Sequence, residues 1–485
     1  MSAPLYINDY FANMDPQRLA FAVLQAGKKP PPTDNYTYCD LGMGRGMTLC
    51  MLAAANPDCD FWGCDYDAAS ISDAVAMTRD MGLQNTHIYD DDFARFATRD
   101  LPQFDYIGLH GVISWVSLDV RDQIAGFLQT FLKPGGIVQV SYNALPAWSG
   151  LQALRQMMIA HMGDRSQDPV RAQKAIDFAA MLAKSRPPGL GIAPAADVIV
   201  ETLLTGDPAY LIHEHLGEVQ SPFHAHDVDQ WLSPLGLEYV ASAGLEDPQK
   251  DGLVALHLLA LANAPPDPAY RRTMMDMVAG RLFRRDIFVR APERLTRDHR
   301  MDALAGVKVG LLRTKEDIAD KSDGMPTEIK AHIAAIAGAL ADGPLPVSDV
   351  VAANGKPAEL ALGYLLGLNH ATLVPGRVPG QHVSAANAVL LDRAHNLQGR
   401  AALVSTEARA GIRLPWQDLM FLLAEKQGDD PVNFTLSTMR SQRGNLKKTL
   451  AEILDADDPK AIVADQFRIF YLRTRPTLKN FGVEV

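Results

Sequence analysis

The sequence predicts an α/β fold: a doubly wound, mostly parallel sheet at the amino end, with helix-rich additions behind it. Three observations lead there. Strand and helix signals alternate from Tyr36 to Tyr142, the pattern of a parallel sheet covered by helices. A glycine-rich turn, Asp40-Leu41-Gly42-Met43-Gly44-Arg45-Gly46, follows the first strand. Acidic residues close the second and third strands, at the edge where open α/β sheets bind their ligands.

Each element has its own signal. Pro16 to Ala26 reads as a helix, set off from the first strand by Pro30-Pro31-Pro32. Tyr36 to Leu41 is that strand, and Met47 to Ala55, rich in Leu, Met and Ala, is a helix stopped at Asn56-Pro57. Cys59 to Cys64 and Asn85 to Tyr89 are the next strands, separated by a helix from Ala68 to Met81 that Gly82 closes. Phe104 to His110 is the fourth strand and Gly136 to Tyr142 the fifth. Lys133-Pro134-Gly135-Gly136 is expected to stop the preceding helix and reverse the chain. Residues 151–205 carry Ala/Leu/Met-rich helices broken by Pro187-Pro188-Gly189, a candidate insertion or dimerisation segment. Mixed signals return over 206–262, with Asp227 to Leu235 helical, Leu237 to Ala243 a strand, and Leu253 to Ala262 open to either. Beyond the linker Ala264-Pro265-Pro266-Asp267-Pro268, three helices (Glu328 to Leu340, Val347 to Ala353, Ala358 to Leu368) precede a strand from Ala371 to Val374.

Composition narrows the class. A chain of 485 residues exceeds what one core supports, so two to four domains are expected. The longest apolar stretches, such as Gly252 to Ala264, are too short to span a bilayer. The first 16 residues lack a basic region followed by an apolar run. A cytoplasmic protein without membrane insertion is the expectation. Cys39, Cys50, Cys59 and Cys64 match no zinc or redox spacing and read as apolar packing residues, with no metal site implied. The net charge of −11 argues against general nucleic-acid binding. Residues 271–300 are the local exception, with nine arginines against four acids; solvated faces and pairing to an acidic chain account for them.

The turn after the first strand is the main chemical signal. Glycines at 42, 44 and 46 permit unusual φ values and let backbone N–H groups approach a ligand. The spacing lacks the third glycine of a pyrophosphate-binding turn, and no Lys followed by Ser or Thr makes it a phosphate cradle. A nucleoside with an amino-acid tail suits such a loop, with Asp40 facing the tail's ammonium directly or through water; any tight βα turn is the structural alternative. Asp65 ends the second strand, placed to accept from ribose hydroxyls, while Asp67 is set to cap the following helix. The third strand ends in Asp90-Asp91-Asp92-Phe93. Three adjacent acids repel, so a specific partner is expected for at least one. Asp92 is the candidate acceptor for an adenine amino group, with Phe93 beside the ring, against a solvated acidic turn.

Taken in this order, the signatures resemble those of class I S-adenosylmethionine-dependent methyltransferases. They are Asp40 to Gly46, Asp65, Asp92-Phe93 and Lys133-Pro134-Gly135-Gly136. The resemblance implies a Rossmann-like, seven-stranded sheet with S-adenosylmethionine over the carboxyl ends of strands one to four. Its cofactor set would be Asp40, Gly42, Gly44, Gly46, Asp65, Tyr66, Asp92, Phe93 and His110. A narrower resemblance covers most of the chain. Tyr10-Phe11, Pro16 to Leu19, Phe61-Trp62-Gly63, Phe104 to Gly111, Ser114-Trp115-Val116 and Val140 to Asn143 look like bacterial methyltransferases bearing a methyltransferase regulatory domain. Tyr210 to Glu214, Gly236 to Val240 and Phe283 to Val289 resemble the regulatory domain itself, although His215 stands where that family has an aromatic. The tail resembles a winged-helix-like domain of relatives that include bacterial protein lysine methyltransferases. The division implied is a methyltransferase domain over 1–150, a helical insertion over 151–205, a regulatory domain over 206–310 and a winged-helix-like domain over 311–485.

Methyl transfer from a sulfonium is an in-line displacement, and alignment of this kind contributes roughly 7–11 kcal/mol. His110, ending the fourth strand, is either a general base or a cofactor-lining residue. Trp115 and Tyr142 are either channel-lining or core aromatics, and Asn143 either binds substrate or serves a turn. Tyr6, Tyr10 and Phe11 form a lid by resemblance alone. Protein lysine is the favoured acceptor, because a small molecule needs no platform of 300 residues. A small-molecule O- or N-acceptor and an S-adenosylmethionine-sensing module are the alternatives, and a homodimer is the candidate assembly.

Overall fold

A computed structural model describes residues 8–162, 169–185, 219–322, 326–352, 355–394, 401–443 and 448–485. Five strands alternate with helices in its first part: β1 (Thr37–Leu41), β2 (Asp60–Asp65), β3 (Thr86–Asp90), β4 (Phe104–Leu109) and β5 (Leu132–Asn143). Two more strands, β6 (Leu237–Ser242) and β7 (Phe283–Arg290), complete one seven-stranded sheet in the order β3-β2-β1-β4-β5-β7-β6. Strands β1 to β5 pair in parallel, and β7 runs antiparallel to both β5 and β6. The sheet therefore continues well past residue 150, drawing its last two strands from the segment 206–310.

The helices form where the sequence places them. Helix α1 (Pro16–Gln25) starts on Asp15, whose carboxylate accepts from Gln17 N, with proline at the first helical position. Helix α2 (Met47–Ala55) is buried at every residue, as a helix apolar on all sides should be, with Thr48 its one polar side chain. Helix α3 (Ala68–Met81) is capped by Asp67, which accepts from Ser70 N at 3.0 Å, and closed by Gly82 in the left-handed region. Helices α4 (Phe93–Phe96) and α5 (Leu118–Phe131) complete the sheet's cover. Residues of α1, α2 and α3 share one core with Tyr38, Phe61, Tyr106, Ile137 and Ile287. The opposite face carries Cys39, Leu41, Ile107, Leu109, Val138 and Val140, packed with α4, α5 and residues 225–232. The four cysteines are buried and free, as expected of packing residues.

The Lys133-Pro134-Gly135-Gly136 segment departs from expectation. It does not reverse the chain but belongs to β5, as a register irregularity opposite Phe104 to Tyr106. Gly135 supplies the positive φ of 76° that this irregularity requires. The ambiguous stretch before the linker is a helix, Leu256–Ala262.

Behind β5, helices α6 (Ser149–Met162) and α7 (Pro169–Lys184) pack through a small core of their own around Leu154, Met158, Ile176 and Ala179. Pro187 to Gly189 and Tyr210 to Glu214 lie outside the described residues. The carboxyl-terminal part has a three-stranded antiparallel sheet of β8 (Lys308–Leu311), β9 (Leu345–Pro346) and β10 (Ala371–Val374). A hairpin of β11 (Ala401–Ser405) and β12 (Ala410–Leu414) follows. Among the described residues no helix is long and apolar enough to cross a membrane.

The hairpin docks on α2. Asn56 exchanges two hydrogen bonds with Arg409, donating to its carbonyl and accepting from its guanidinium, both at 3.0 Å. Gly411 is pressed so close that a Cβ there would sit 2.8 Å from Met51 Cε and from the Tyr10 ring. Gly411→Ala is therefore expected to destabilise the chain by about 1–3 kcal/mol in urea unfolding. Faster hydrogen exchange over residues 8–14 should accompany that loss, because Tyr10 is the side chain displaced.

Candidate active site

Pairing register sorts the sheet's inner face into rows. Phe61, Tyr38, Tyr106, Ile137 and Val289 are lateral neighbours on β2, β1, β4, β5 and β7, and form an apolar floor. The next row toward the strand carboxyl ends is Gly63, Asp40, Gly108, Gln139 and Ile287. Beyond it stand Asp65, His110, Ser141 and Arg285. Polar chemistry thus begins one row below the sheet edge and intensifies at it.

The glycine loop is shaped by backbone conformation. Gly42, Gly44 and Gly46 have φ of 78°, 54° and 71°, a region that costs other residues roughly 1–2 kcal/mol. Neighbours add a second constraint: a Cβ at Gly42 would lie 2.8 Å from Val112, and one at Gly46 2.8 Å from Ala74. Asp65 tethers the loop, its carboxylate accepting from Gly44 N at 2.8 Å and from Asp67 N at 3.0 Å. Burial raises the pKa of Asp65. Asp40 is buried too, and its Oδ1 meets no hydrogen-bond partner among the described residues. Burial, with the nearby Asp65 charge, pushes Asp40 up to about 8.

The acidic run resolves into separate tasks. Asp91 is buried and held by Arg95 and Arg99, both at 2.8 Å. Asp92 is exposed and caps α4, accepting from Arg95 N at 2.8 Å. Phe93 stands 3.8 Å from the Cβ position of Gly42, so it borders the loop. Tyr66 projects from the rim, 81% exposed.

His110 is fixed as a neutral ring. Asn13 Nδ2 lies 3.2 Å from its Nδ1 and donates to it. Ser141 Oγ, 3.1 Å from the same nitrogen, accepts from Gly111 N and so has its own proton to give to His110. With Nδ1 taken by two donors, the ring proton belongs on Nε2. Burial, reinforced by the Arg285 and Arg413 cations, lowers the His110 pKa to about 3. Donors thus meet Nδ1, and the lowered pKa leaves the ring neutral at ordinary pH.

The substrate candidates separate. Tyr142 points to the opposite sheet face from Ser141, where its hydroxyl donates to Asp286 at 2.7 Å. Asn143 is buried, its backbone N–H donating to Ser114 Oγ and its carbonyl accepting from Phe223 N. Trp115 is half-buried in the turn after β4.

A strap of residues 8–14 covers the loop. A cavity of about 30 Å³ remains, lined by Asn8, Asp9, Phe11, Met14, the glycine loop, Thr48 and His110. That is about a tenth of an ordinary ligand pocket, which starts at roughly 300 Å³. Of the residues expected to form a lid, Phe11 lines this cavity, its ring 4.0 Å from that of His110. Tyr10 does not; it is buried against Gly411. Tyr6 lies outside the described residues. Thr48 anchors the strap by accepting from Phe11 N at 2.9 Å, and Arg413 reaches Asp9 at 3.4 Å and the Tyr10 carbonyl. Asn13 and Thr48 escaped sequence reading, because neither belongs to a motif; Ser141 and Arg285 lay inside matched segments, but only the register brings them to His110.

Several arginines of 271–300 turn inward. Arg272, Arg281, Arg284 and Arg285 line a cavity of about 310 Å³ and pair with Asp229, Asp247, Asp251, Asp276, Asp286 and Glu246.

Sheet order, reversed seventh strand and glycine loop together define a class I methyltransferase fold. Comparison with known proteins agrees. Residues 39–138 match the model of a methyltransferase domain, and residues 207–290 that of a predicted methyltransferase regulatory domain. An uncharacterized protein of Synechocystis sp. is 28% identical over 476 residues, covering 93% of each chain. Another, from Rickettsia prowazekii, is 30% identical over 211 residues, 41% of this chain and 80% of that one. Among solved structures, PKMT2 from Rickettsia typhi in complex with AdoHcy superimposes with a TM-score of 0.64 at 20% identity, covering 97% of this chain and 100% of that one. The chain belongs to the class I S-adenosylmethionine-dependent methyltransferases and carries the methyltransferase regulatory domain.

Tyr142→Phe discriminates core from channel. Loss of the bond to Asp286 should cost about 1–3 kcal/mol of stability. Calorimetric affinity for S-adenosylmethionine should stay unchanged.

Proposed function

We propose that this protein is a cytoplasmic enzyme that transfers the methyl group of S-adenosylmethionine to lysine side chains of protein substrates. The observation that carries the cofactor site is the loop of three left-handed glycines tethered by Asp65 beside an orphaned, buried Asp40. Support for a protein acceptor comes from the full-length likeness to PKMT2, a name denoting a protein lysine methyltransferase, and from the 300 residues outside the loop-bearing half-sheet.

In this reading Asp40 receives the ammonium of the cofactor's amino-acid tail. Gly42, Gly44 and Gly46 let the backbone approach it. Asp65 keeps lone pairs for the ribose hydroxyls, Asp92 and Phe93 border the adenine, and Tyr66 closes the rim. When bound, the cofactor supplies an electrophilic methyl group on sulfur. His110 donates from Nε2 and shapes the wall, while Trp115 and Asn143 stand on the acceptor side. A lysine near its ordinary pKa of about 10.4 must shed its proton before attack. Desolvation as the lysine enters favours its neutral form, and the proton leaves to solvent. The α6–α7 pair is the candidate dimer contact.

Two outcomes are expected. Because Asp40 is largely protonated below pH 8, affinity for S-adenosylmethionine should rise as pH climbs toward 8, by at most about tenfold per unit. Asp40→Asn should flatten that profile. With methyl-labelled S-adenosylmethionine and a whole-cell lysate, label should appear on protein bands as methyl-lysine and vanish with Asp65→Ala. Label confined to small molecules would replace the acceptor by a metabolite, and cofactor binding without any transfer would favour a sensor.

A further inference from the structure

Gln139 poses a problem that the site described so far does not solve. Its side chain is fully buried in mid-strand β5, yet neither its amide nitrogen nor its amide oxygen has a hydrogen-bond partner among the described residues. Burying an amide unbonded costs about 2–7 kcal/mol on transfer scales. A leucine or isoleucine would avoid that cost at an interior position flanked by Ile287.

Register places the residue. Asp40, Gly108 and Gln139 are lateral neighbours on β1, β4 and β5, one row below His110 and Ser141. Gly108, lacking a side chain, separates the two polar groups, and the Met14 tip and the Tyr38 hydroxyl close over it. A Cβ at Gly108 would lie 2.9 Å from Tyr38 Oη and 3.7 Å from Asp40 Oδ1. Both of those oxygens are buried and without a partner among the described residues. Met14 roofs the space, its Cε 2.6 Å from the same Cβ position, and Met14 also lines the cavity under the strap. The Tyr38 hydroxyl and the Asp40 carboxylate thus both face the Gly108 position, and the Gln139 amide, which can donate and accept, belongs to the next strand of the same row. That set fits a water with several polar partners.

We propose that Gln139, with Tyr38, is a positioning residue for the amino-acid tail of the cofactor: through an ordered water above Gly108 it holds the Asp40 carboxylate in the orientation that receives the tail's ammonium. The proposal rests on the cofactor role given to Asp40 above. It explains why a polar side chain is kept in the core, why β4 carries glycine at 108, and why a methionine forms the roof. Gln139 touches neither methyl donor nor acceptor. Its effect is confined to ligands that carry the tail.

Calorimetric titration with two ligands tests it: S-adenosylhomocysteine, which has the tail, and 5′-methylthioadenosine, which lacks it. Gln139→Leu should weaken S-adenosylhomocysteine on the order of tenfold and leave 5′-methylthioadenosine unchanged. Gly108→Ala, which fills the shared volume, should show the same selectivity. Gln139→Met serves if the leucine variant does not fold. Equal weakening of both ligands would reduce Gln139 to a structural role and overturn the proposal, as would unchanged affinity for both. Failure of the wild-type protein to bind either ligand would instead sink the cofactor reading on which the proposal rests.

Discussion

Strand β7 brings Arg284, Arg285 and Asp286 into the interior of a seven-stranded sheet, and the rest of the molecule depends on how those charges are matched. Isolated, each would carry a desolvation cost of several kcal/mol. Arg284 instead lies between Asp276 and Asp286, and Asp286 also accepts from Tyr142 on β5. On the other face Arg285 meets Glu246 and Asp247. Cations hold Glu246 below the ordinary carboxylate range, whereas burial still dominates at Asp276, pushed up to about 6. Because β7 lies between β5 and β6, this network joins the regulatory-domain segment to the catalytic sheet. That segment is not an appendage but two-sevenths of the sheet, and it delivers Phe283 and Arg285 to the His110 wall.

The strap links the site to the opposite end of the chain. Residues 8–14 are held from beneath by Thr48 and from outside by Arg413, more than 400 residues later in sequence. Asn56 and Arg409 fix the same hairpin to α2, the helix that begins at the glycine loop. Cofactor loop, lid and carboxyl-terminal hairpin therefore share one packed seam. The strap makes contacts with both the first and the last parts of the chain.

What the sequence made legible follows from how local each signal was. Asp67 and Gly82 bracket α3 because caps act within one turn, and Gly42, Gly44 and Gly46 announce their conformation by being glycine. The order of the first five strands was readable for the same reason. Strand β7 was not, because Phe283-Arg284-Arg285-Asp286 looks solvated until the acids of other segments are set beside it. Tyr142 and Ser141 are adjacent in sequence yet face opposite sides of the sheet, so the one that meets His110 is decided by register alone. Asp91 carries the buried ion pairs while Asp92 caps a helix, a division that a run of three identical residues conceals. Gln139 had no motif at all; its meaning lies in a buried amide without a hydrogen-bond partner among the described residues.

The chemistry of transfer is constrained by what surrounds His110. A ring whose Nδ1 accepts from Asn13 and Ser141 is a donor at Nε2, and lowering its pKa to about 3 makes it more firmly neutral, not more basic. A buried ring of so low a pKa is a weak proton acceptor, whereas alignment and desolvation are what an enclosed site supplies. A desolvated amine is a neutral amine, since burial disfavours the ammonium form. The same closure that shrinks the cavity would thus serve both needs, holding the acceptor in line and excluding water that would reprotonate it. Asp40 responds oppositely: burial keeps it protonated until a cation arrives, so that the ligand's own ammonium completes the charge pair. Asp40 and His110 are thus both poised by burial to be neutral in the empty site, and the incoming ammonium supplies the charge that Asp40 answers.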